Sequence, residues 1–495
     1  MNIKHLLTIS FSILLISNLT YSQDTLITEW EIIDSSPLVN GNAEAWAIGS
    51  DQNGNLFWGV NKDRPGFFEY MDAMVFKLDE EGNTIWLDTA AIGVFAQQSY
   101  HLKVTDNVVY LGGRTCKTIG IDSCDVLVFT TDVNTGETGW EFTWDGGYGY
   151  EEVDGISVET DEIILTGWTK GNGTEMDVLL MKIGFDGSVI WQTNWGSMTA
   201  KDDHQDGHIV VDDSFIYISG LYDGSPLLGW NGRALLAKFD KTNGNFVDSV
   251  KYGRQDQWVN AENALGMTTD GTYLYTTGYT TTSPNNWDIF VAKFDKDLNQ
   301  IWYTTWGGEN DTESARAITI DDDGSIYIGG NTASYGNGGF EMALLKLDPS
   351  GNIEWYKTWG GTLDDQILDI HLHDHNLYLT GKTQSFHPSQ KWEAVLLNVN
   401  LENFNTSNKN VFNQKPEWQI FPNPTSNSAI LKLNNFLFQT QEIAVYNLMG
   451  QKVMHLNNIA SQEININKEN IGTGIFLVQV VDVNQNTSVR KLIIH

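Results

Sequence analysis

Six stretches of this chain are variants of one another, recurring about every 50 residues. They are "DAMVFKLDEEGNTIW" (72–86), "DVLVFTTDVNTGETGW" (125–140), "DVLLMKIGFDGSVIW" (177–191), "RALLAKFDKTNGNFV" (233–247), "DIFVAKFDKDLNQIW" (288–302) and "EMALLKLDPSGNIEW" (341–355). A seventh, "EAVLLNVNLENFN" (393–405), begins the same way and stops before any Trp. No unit of this size buries its apolar surface alone, so each copy must pack against the next, and the repeat governs the whole architecture.

Each unit parses into four strands. The first is short and apolar, as in "ARAITID" (315–321), and a Gly turn leads to the second, as in "GSIYIGGNT" (324–332). A longer loop precedes the "DVLLMKI"-type third strand, and an Asp/Gly/Asn turn joins it to the Trp-bearing fourth. Asp-Gly, Gly-Asn and Asn-Gly punctuation marks antiparallel hairpins. The apolar runs alternate or are solidly apolar and β-branched, without the i, i+3, i+4 spacing of a helical solenoid. A repeated four-stranded unit is a propeller blade.

The seventh unit has a first (367–373), second (376–383) and third (393–400) strand but no fourth. "LITEWEII", far upstream, supplies one. A strand at 26–33 would complete the last blade, with Trp30 in the slot that Trp355 fills in blade six, and the ring would close without an exposed edge. The expected fold is all-β: a seven-bladed β-propeller followed by a small Ig-like β-sandwich. The units resemble a bacterial β-propeller repeat family with the pattern W-x-x-x-x-G-G … D-x-x-G-x-I-Y-I-x-G-x-T, seen in "WYTTWGGENDTESARAITIDDDGSIYIGGNT" (302–332). The resemblance covers residues 24 to 405, blade four lacking its Trp. It implies a fold and says little of function.

The chain begins "MNIKHLLTISFSILLISNLTYSQ", with a basic start, an apolar run over Leu6–Ile16 and small residues at Thr20 and Ser22. This reads as a signal peptide over 1–22, too short to span a membrane. No other run is long enough for a transmembrane segment. The chain has 47 Gly, 18 Trp and 18 Tyr against 9 Pro and 2 Cys, as many short strands and tight turns require. Its net charge of -34 excludes nucleic acid and anionic membrane surfaces as natural partners. Cys116 and Cys124 lie in one short segment and, in an exported chain, read as a local disulfide, with two free thiols as the alternative.

A polar linker over 406–416 leads to a different domain over 417–495. Three blocks, "FPNPTSNSAILKL" (421–433), "IAVYNLMGQKVMHL" (443–456) and "IGTGIFLVQVVDVNQNTSVRKLIIH" (471–495), resemble in order and spacing the C-terminal sorting domain of the Bacteroidetes type IX secretion system. The matching residues are Pro422, Asn423, Pro424, Gly450, Gly474 and Lys491. The resemblance implies that the type IX secretion machinery is a partner and that the protein is secreted or attached to the outer cell surface.

Propellers bind ligands where their innermost strands begin. Aligning the units on their Gly turns places there Trp46 and Ala47, Tyr100 and His101, Asp154 and Gly155, Asp206 and His208, Glu262 and Asn263, Arg316, and Asp369 and His371, in blade order. His387 and Trp392 stand on a loop of blade seven. Two functions fit these residues. A binding or scaffold module for an extracellular glycan or protein would use the aromatic faces and polar side chains. A polysaccharide lyase would use His101, His208 or Tyr100 as base and acid with Arg316 on a uronate, and a glycoside hydrolase a carboxylate pair from Asp154, Asp206 or Asp369. Binding is the expectation, by a monomer without cofactor or metal. His371 and His373 share a strand face, but no third ligand is evident.

Overall fold

The computed structural model describes residues 26, 28–34, 41–64, 71–90, 96–117, 124–147, 149–170, 176–196, 203–204, 208–222, 232–253, 262–283, 286–308, 311–336, 338–386, 390–402, 418–421, 425–433, 440–447, 451–457, 463–482 and 487–495. The signal peptide, the linker, Asp206, His387, Pro422, Asn423, Pro424 and Gly450 lie outside the described residues. The chain divides into two compact units, Asp24–Asn400 and a second from Leu401 to His495.

The first unit is seven antiparallel sheets, six of them with strands neighbouring in chain order and the seventh taking its outermost strand from the N-terminal end. Blade one is Ala43–Ser50, Leu56–Asp63, Met71–Leu78 and Thr84–Thr89. The first strands of blades two, three, five, six and seven are Gln97–Val104, Glu151–Val158, Glu262–Thr269, Glu313–Ile320 and Asp365–His373. In blade four the first strand is in two pieces, Asp203–His204 and Ile209–Val211, both paired with Phe215–Tyr222. Each first strand packs on the first strand of the next blade, and Asp365–His373 packs on Ala43–Ser50, so the first strands are innermost and the ring is closed.

Residue pattern follows position. The third strands are covered on both faces by adjacent blades, so Glu341–Leu347 is buried at every residue and its sequence is a solid apolar run. The fourth strands face solvent on one side, and Val189–Trp195 alternates between exposed and half-buried.

Blade seven is completed from the other end of the chain. Trp30–Asp34 pairs antiparallel with Glu393–Asn400, setting Trp30 opposite Asn398. In blade six Trp355 stands opposite Lys346. Asn398 and Lys346 are each the sixth residue of their third strand, so the two Trp occupy the same slot. The closing strand starts at Trp30 rather than at the expected 26, because the Leu26 amide is engaged elsewhere, with the Thr358 carbonyl of blade six at 2.8 Å. The seam is sealed further by Trp58 Nε1 donating to Thr380 Oγ1 at 2.6 Å.

The blades interlock through the repeat's Trp and Gly. A Cβ on Gly136, in the last hairpin of blade two, would lie 2.7 Å from the Trp86 ring of blade one. Gly244 stands in the same relation to Trp191 and Gly351 to Trp302. At the seam Trp30 lies against Gly82, and its Nε1 donates to the Glu80 carbonyl at 3.1 Å, as Trp86 Nε1 does to Val133 at 3.2 Å. Blade four has no Trp in this slot, and in the facing turn of blade five Leu298 carries the positive φ, 63°.

The second unit is a sandwich of a three-stranded and a four-stranded sheet. Its core is Ala429, Leu431, Ile443, Val445, Ile464, Ile466, Phe476, Val478, Val480, Leu492 and Ile494, drawn from both sheets. Gly474 opens the strand Gly474–Asp482, and Lys491 lies on the paired strand Thr487–Ile494.

Candidate functional site

The innermost strands share one irregularity that builds the site. Their register slips at the same place in six blades: between Ala45 and Ala47, Ser99 and His101, Val153 and Gly155, Ala264 and Gly266, Ala315 and Ala317, and Ile367 and Asp369. A bulge leaves one residue per strand out of the ladder and re-aims its side chain. Those residues are Trp46, Tyr100, Asp154, Leu265, Arg316 and Leu368.

Four of the six were expected at the site, and the structure brings them together. Trp46 meets Tyr100 edge to face at 5.2 Å. The Arg316 guanidinium lies over the Trp46 ring, 5.6 Å from its centroid. Blade seven separates their blades, so this contact reaches past it. Burial, then the Glu152 charge, holds the Tyr100 hydroxyl well above its ordinary pKa, with Asp154 adding to the effect.

One residue beyond the bulge come His101 and Asp369, with His208 in the matching place of blade four. The His101 and His208 rings are 5.0 Å apart and roughly perpendicular although blade three stands between them. Blade three has Gly155 at this level, which leaves the two imidazoles room to meet. Burial, and then the Arg316 charge, lowers His208 to about 4, against the upward pull of its hydrogen bond to the Met267 backbone. Burial and the neighbouring His208 and Lys103 hold His101 well below its ordinary value. Burial raises Asp369 to about 7, against the Ile48 and Ile370 amides that its carboxylate accepts at 3.0 and 2.8 Å.

Two expected residues are placed differently. Glu262 is fully buried, its carboxylate accepting Thr280 Oγ1 at 2.6 Å and Arg233 Nε at 3.2 Å. It clamps the Thr of the Gly-x-Thr motif, as Glu313 clamps Thr332 at 2.9 Å and Asp365 clamps Thr383, so it belongs to the blade and not to the channel wall. His371 lies further along its strand, tied with His373 to Ser50 Oγ at 2.8 and 3.0 Å. Burial lowers His371 to about 4.

Beside Arg316 a cavity of 340 Å³ opens among blades five, six and seven. Asn263, Leu265, Arg316 and Leu368 line it, together with Tyr279, Trp287, Ser314, Asn331, Phe340 and Gln366. Tyr279 and Trp287 stack at 4.6 Å with planes 11° apart, and Trp287 is 37% exposed. Reading the innermost strands alone missed this wall. The x of Gly-x-Thr, on the second strand, carries the signal: it is Arg in "GRT", Trp in "GWT", Tyr in "GYT", Asn in "GNT" and Lys in "GKT", between fixed neighbours.

The rest of the mouth, in blades two and three and at the junction of blades seven and one, is a network of satisfied charges. Arg114 NH1 donates to Glu152 at 3.0 Å, and Glu152 also accepts Tyr150 OH at 2.9 Å and Trp168 Nε1. Tyr150 and Trp168 stack at 4.2 Å. Lys382 pairs with Glu44 at 3.0 Å and lies 4.6 Å from the Trp392 ring centroid.

Cys116 and Cys124 form a disulfide between the second and third strands of blade two. Nearby, Asp125, Asp145 and Glu151 come within 4.8 Å of one another, and Lys117 bridges Asp125 and Asp145 at 2.6 and 3.0 Å.

Residues 419–495 match the family model of the secretion system C-terminal sorting domain. No curated protein matches the chain. Among solved structures it is similar to the WD40 β-propeller domain of Doa1, at 10% identity and a TM-score of 0.43, covering 74% of this chain and 97% of that one. It is also similar to the β-propeller domain of the Trilobed protease from Pyrococcus furiosus, at 10% identity and a TM-score of 0.40, covering 72% and 95%. The acylaminoacyl peptidase of Pyrococcus horikoshii gives 10% identity and a TM-score of 0.40, covering 78% of this chain and 57% of that one. Among the described residues no helix is long and apolar enough to cross a membrane. The chain is a seven-bladed β-propeller carrying a C-terminal sorting domain of the type IX secretion system, which directs it to the cell surface or the extracellular space.

Proposed function

We propose that the propeller binds an extracellular glycan in the cleft at its channel mouth. The observation that carries this reading is the Tyr279–Trp287 pair, stacked and partly exposed, forming one wall of a cavity whose other walls mix apolar side chains such as Leu265, Phe340 and Leu368 with amides, two hydroxyls and Arg316. Flat aromatic faces suit the apolar faces of sugar rings, while Asn263, Ser314, Asn331 and Gln366 offer donors and acceptors for ring hydroxyls. The volume falls within the range of about 300–1,000 Å³ usual for small-ligand pockets. The same reading takes residues 1–22 as a signal peptide, 406–416 as a linker to the sorting domain, and the secreted protein as a monomer.

The enzymatic alternative, a lyase or glycoside hydrolase, is favoured by the meeting of His101 and His208 near Tyr100, Asp154 and Asp369. Against it, a general base works best with a pKa near the working pH, and His208 sits at about 4. Asp369 has the right value but is held by two backbone amides.

The test is a glycan array read with the full-length protein, followed by affinity and turnover measurements on the best ligands. Trp287→Ala and Tyr279→Ala are expected to weaken retention by about 10-fold or more, the usual penalty for losing an aromatic anchor. His101→Ala with His208→Ala is expected to leave retention unchanged. New reducing ends or unsaturated uronates that vanish in the double His variant, with ligand still bound, would establish the enzyme instead.

A further inference from the structure

We infer that the cleft selects a glycan bearing a carboxylate, a uronic acid residue, and that Arg316 is the residue that reads it. The inference rests on the glycan-binding reading above and names the ligand class of the same site.

Its basis is an imbalance of charge. The chain has 63 Asp and Glu against 29 Lys and Arg, so a cation here is seldom far from an acid. At the channel mouth Arg114 is paired with Glu152, Lys382 with Glu44, and in the neighbouring blade wall Arg233 with Glu262. Arg316 has no carboxylate partner among the described residues. Its guanidinium lies over the face of Trp46, at 5.6 Å, near enough to His208 for its charge to act there, and no acid among the described residues claims its hydrogen-bond donors. The cavity it lines contains no acidic side chain among its described lining residues: the polar groups there are Asn263, Thr312, Ser314, Asn331 and Gln366.

A half-buried guanidinium facing a neutral polar cleft is a receptor for a planar anion, because its fork of N–H groups matches the two oxygens of a carboxylate. The bulge between Ala315 and Ala317 is what turns Arg316 out of the ladder and toward the cleft. Tyr279 and Trp287 would then hold the sugar ring while Arg316 holds its carboxylate. The surrounding negative charge sharpens the choice, since only a ligand with a dedicated cation waiting for it gains from bringing an anion to this surface.

The experiment is calorimetric titration of the full-length protein with a galacturonate trisaccharide, its methyl ester, and a neutral trisaccharide of the same linkage carrying a single sulfate ester. The wild type is expected to bind the acid about 10- to 100-fold more tightly than the ester, the scale of a charge-assisted pair. Arg316→Gln is expected to remove that preference while keeping the ester's affinity, and Arg316→Lys to keep part of it. Equal wild-type affinity for acid and ester, both lost in Trp287→Ala, would overturn the carboxylate assignment and leave glycan binding standing. Sulfate ester binding as tight as the acid would also overturn it, since the site would then read charge alone. Failure of all three ligands, with no other glycan retained, would overturn both readings.

Discussion

At the scale of single residues, two kinds of position hold this protein together and can be tested separately. The first is the Trp–Gly contact between blades. Gly136 has φ +70, and a Cβ there would also strike the Trp86 ring. Gly136→Ala is therefore expected to destabilise the propeller by about 2 kcal/mol, through left-handed strain and overpacking together. Trp86→Ala should cost about 2–4 kcal/mol, and the double variant less than the sum, because both act on one contact. Denaturant unfolding of the three variants checks this. Strict additivity would mean the contact is not shared. The second kind is the buried imidazole. The folded state protonates His208 and His371 only near pH 4, whereas an unfolded chain takes up these protons near 6.5. Between those values the unfolded state takes up more of these protons, so the contribution of the two imidazoles to stability falls as pH drops through that window and is flat above it; buried Asp369, raised to about 7, acts in the opposite sense, favouring the fold more as pH drops below 7. The expected loss for His208 is on the order of 3 kcal/mol at pH 4. With the Asp369 trend common to both proteins, the melting temperature of the wild type should lose more between pH 7 and pH 4 than that of the double variant His208→Asn with His371→Asn, and equal losses would contradict the imidazole account.

At the scale of elements, the sequence reveals what repeats and hides what varies within the repeat. The solid apolar third strands, the Trp-bearing fourth strands and the unpaired Trp30 strand are legible because each recurs in a fixed slot. The bulge is not, since it is set by how a strand twists to close around an axis and leaves no fixed residue type: Trp46, Tyr100, Asp154, Leu265, Arg316 and Leu368 have little in common. For that reason Glu262 reads as a channel residue although it is fully buried as a blade clamp. The wall formed by Tyr279 and Trp287 stays hidden for a related reason, because it comes from second and third strands and only the fold brings it beside Arg316. Blade four, with its first strand in two pieces, is where alignment is weakest, and yet His208 still meets His101. The closing strand makes its own prediction. Deleting residues 26–34 removes the partner of Glu393–Asn400 and exposes its hydrogen-bonding edge. The deletion protein should melt at least several degrees lower and elute as larger species in size-exclusion chromatography. A monomer with an unchanged melting temperature would contradict ring closure.

At the scale of the whole molecule, the parts divide the labour. The ring supplies a rigid wall of seven innermost strands, the strong negative charge keeps an exported protein soluble, and the C-terminal sandwich carries the export signal. Removing residues 419–495 should leave the propeller folded, since its core is built within Asp24–Asn400, but should strand it in the periplasm. Normal yield in the medium would contradict the role of the tail. The proposed function rests on the cleft beside Arg316, and the most direct measurement is a crystal structure of the protein with the best oligosaccharide from the array. A sugar ring lying against Tyr279 and Trp287, with its polar groups on Asn263, Asn331 or Arg316, is the predicted result. A ligand bound elsewhere with this cleft empty, or a sugar cleaved between His101 and His208, would contradict it.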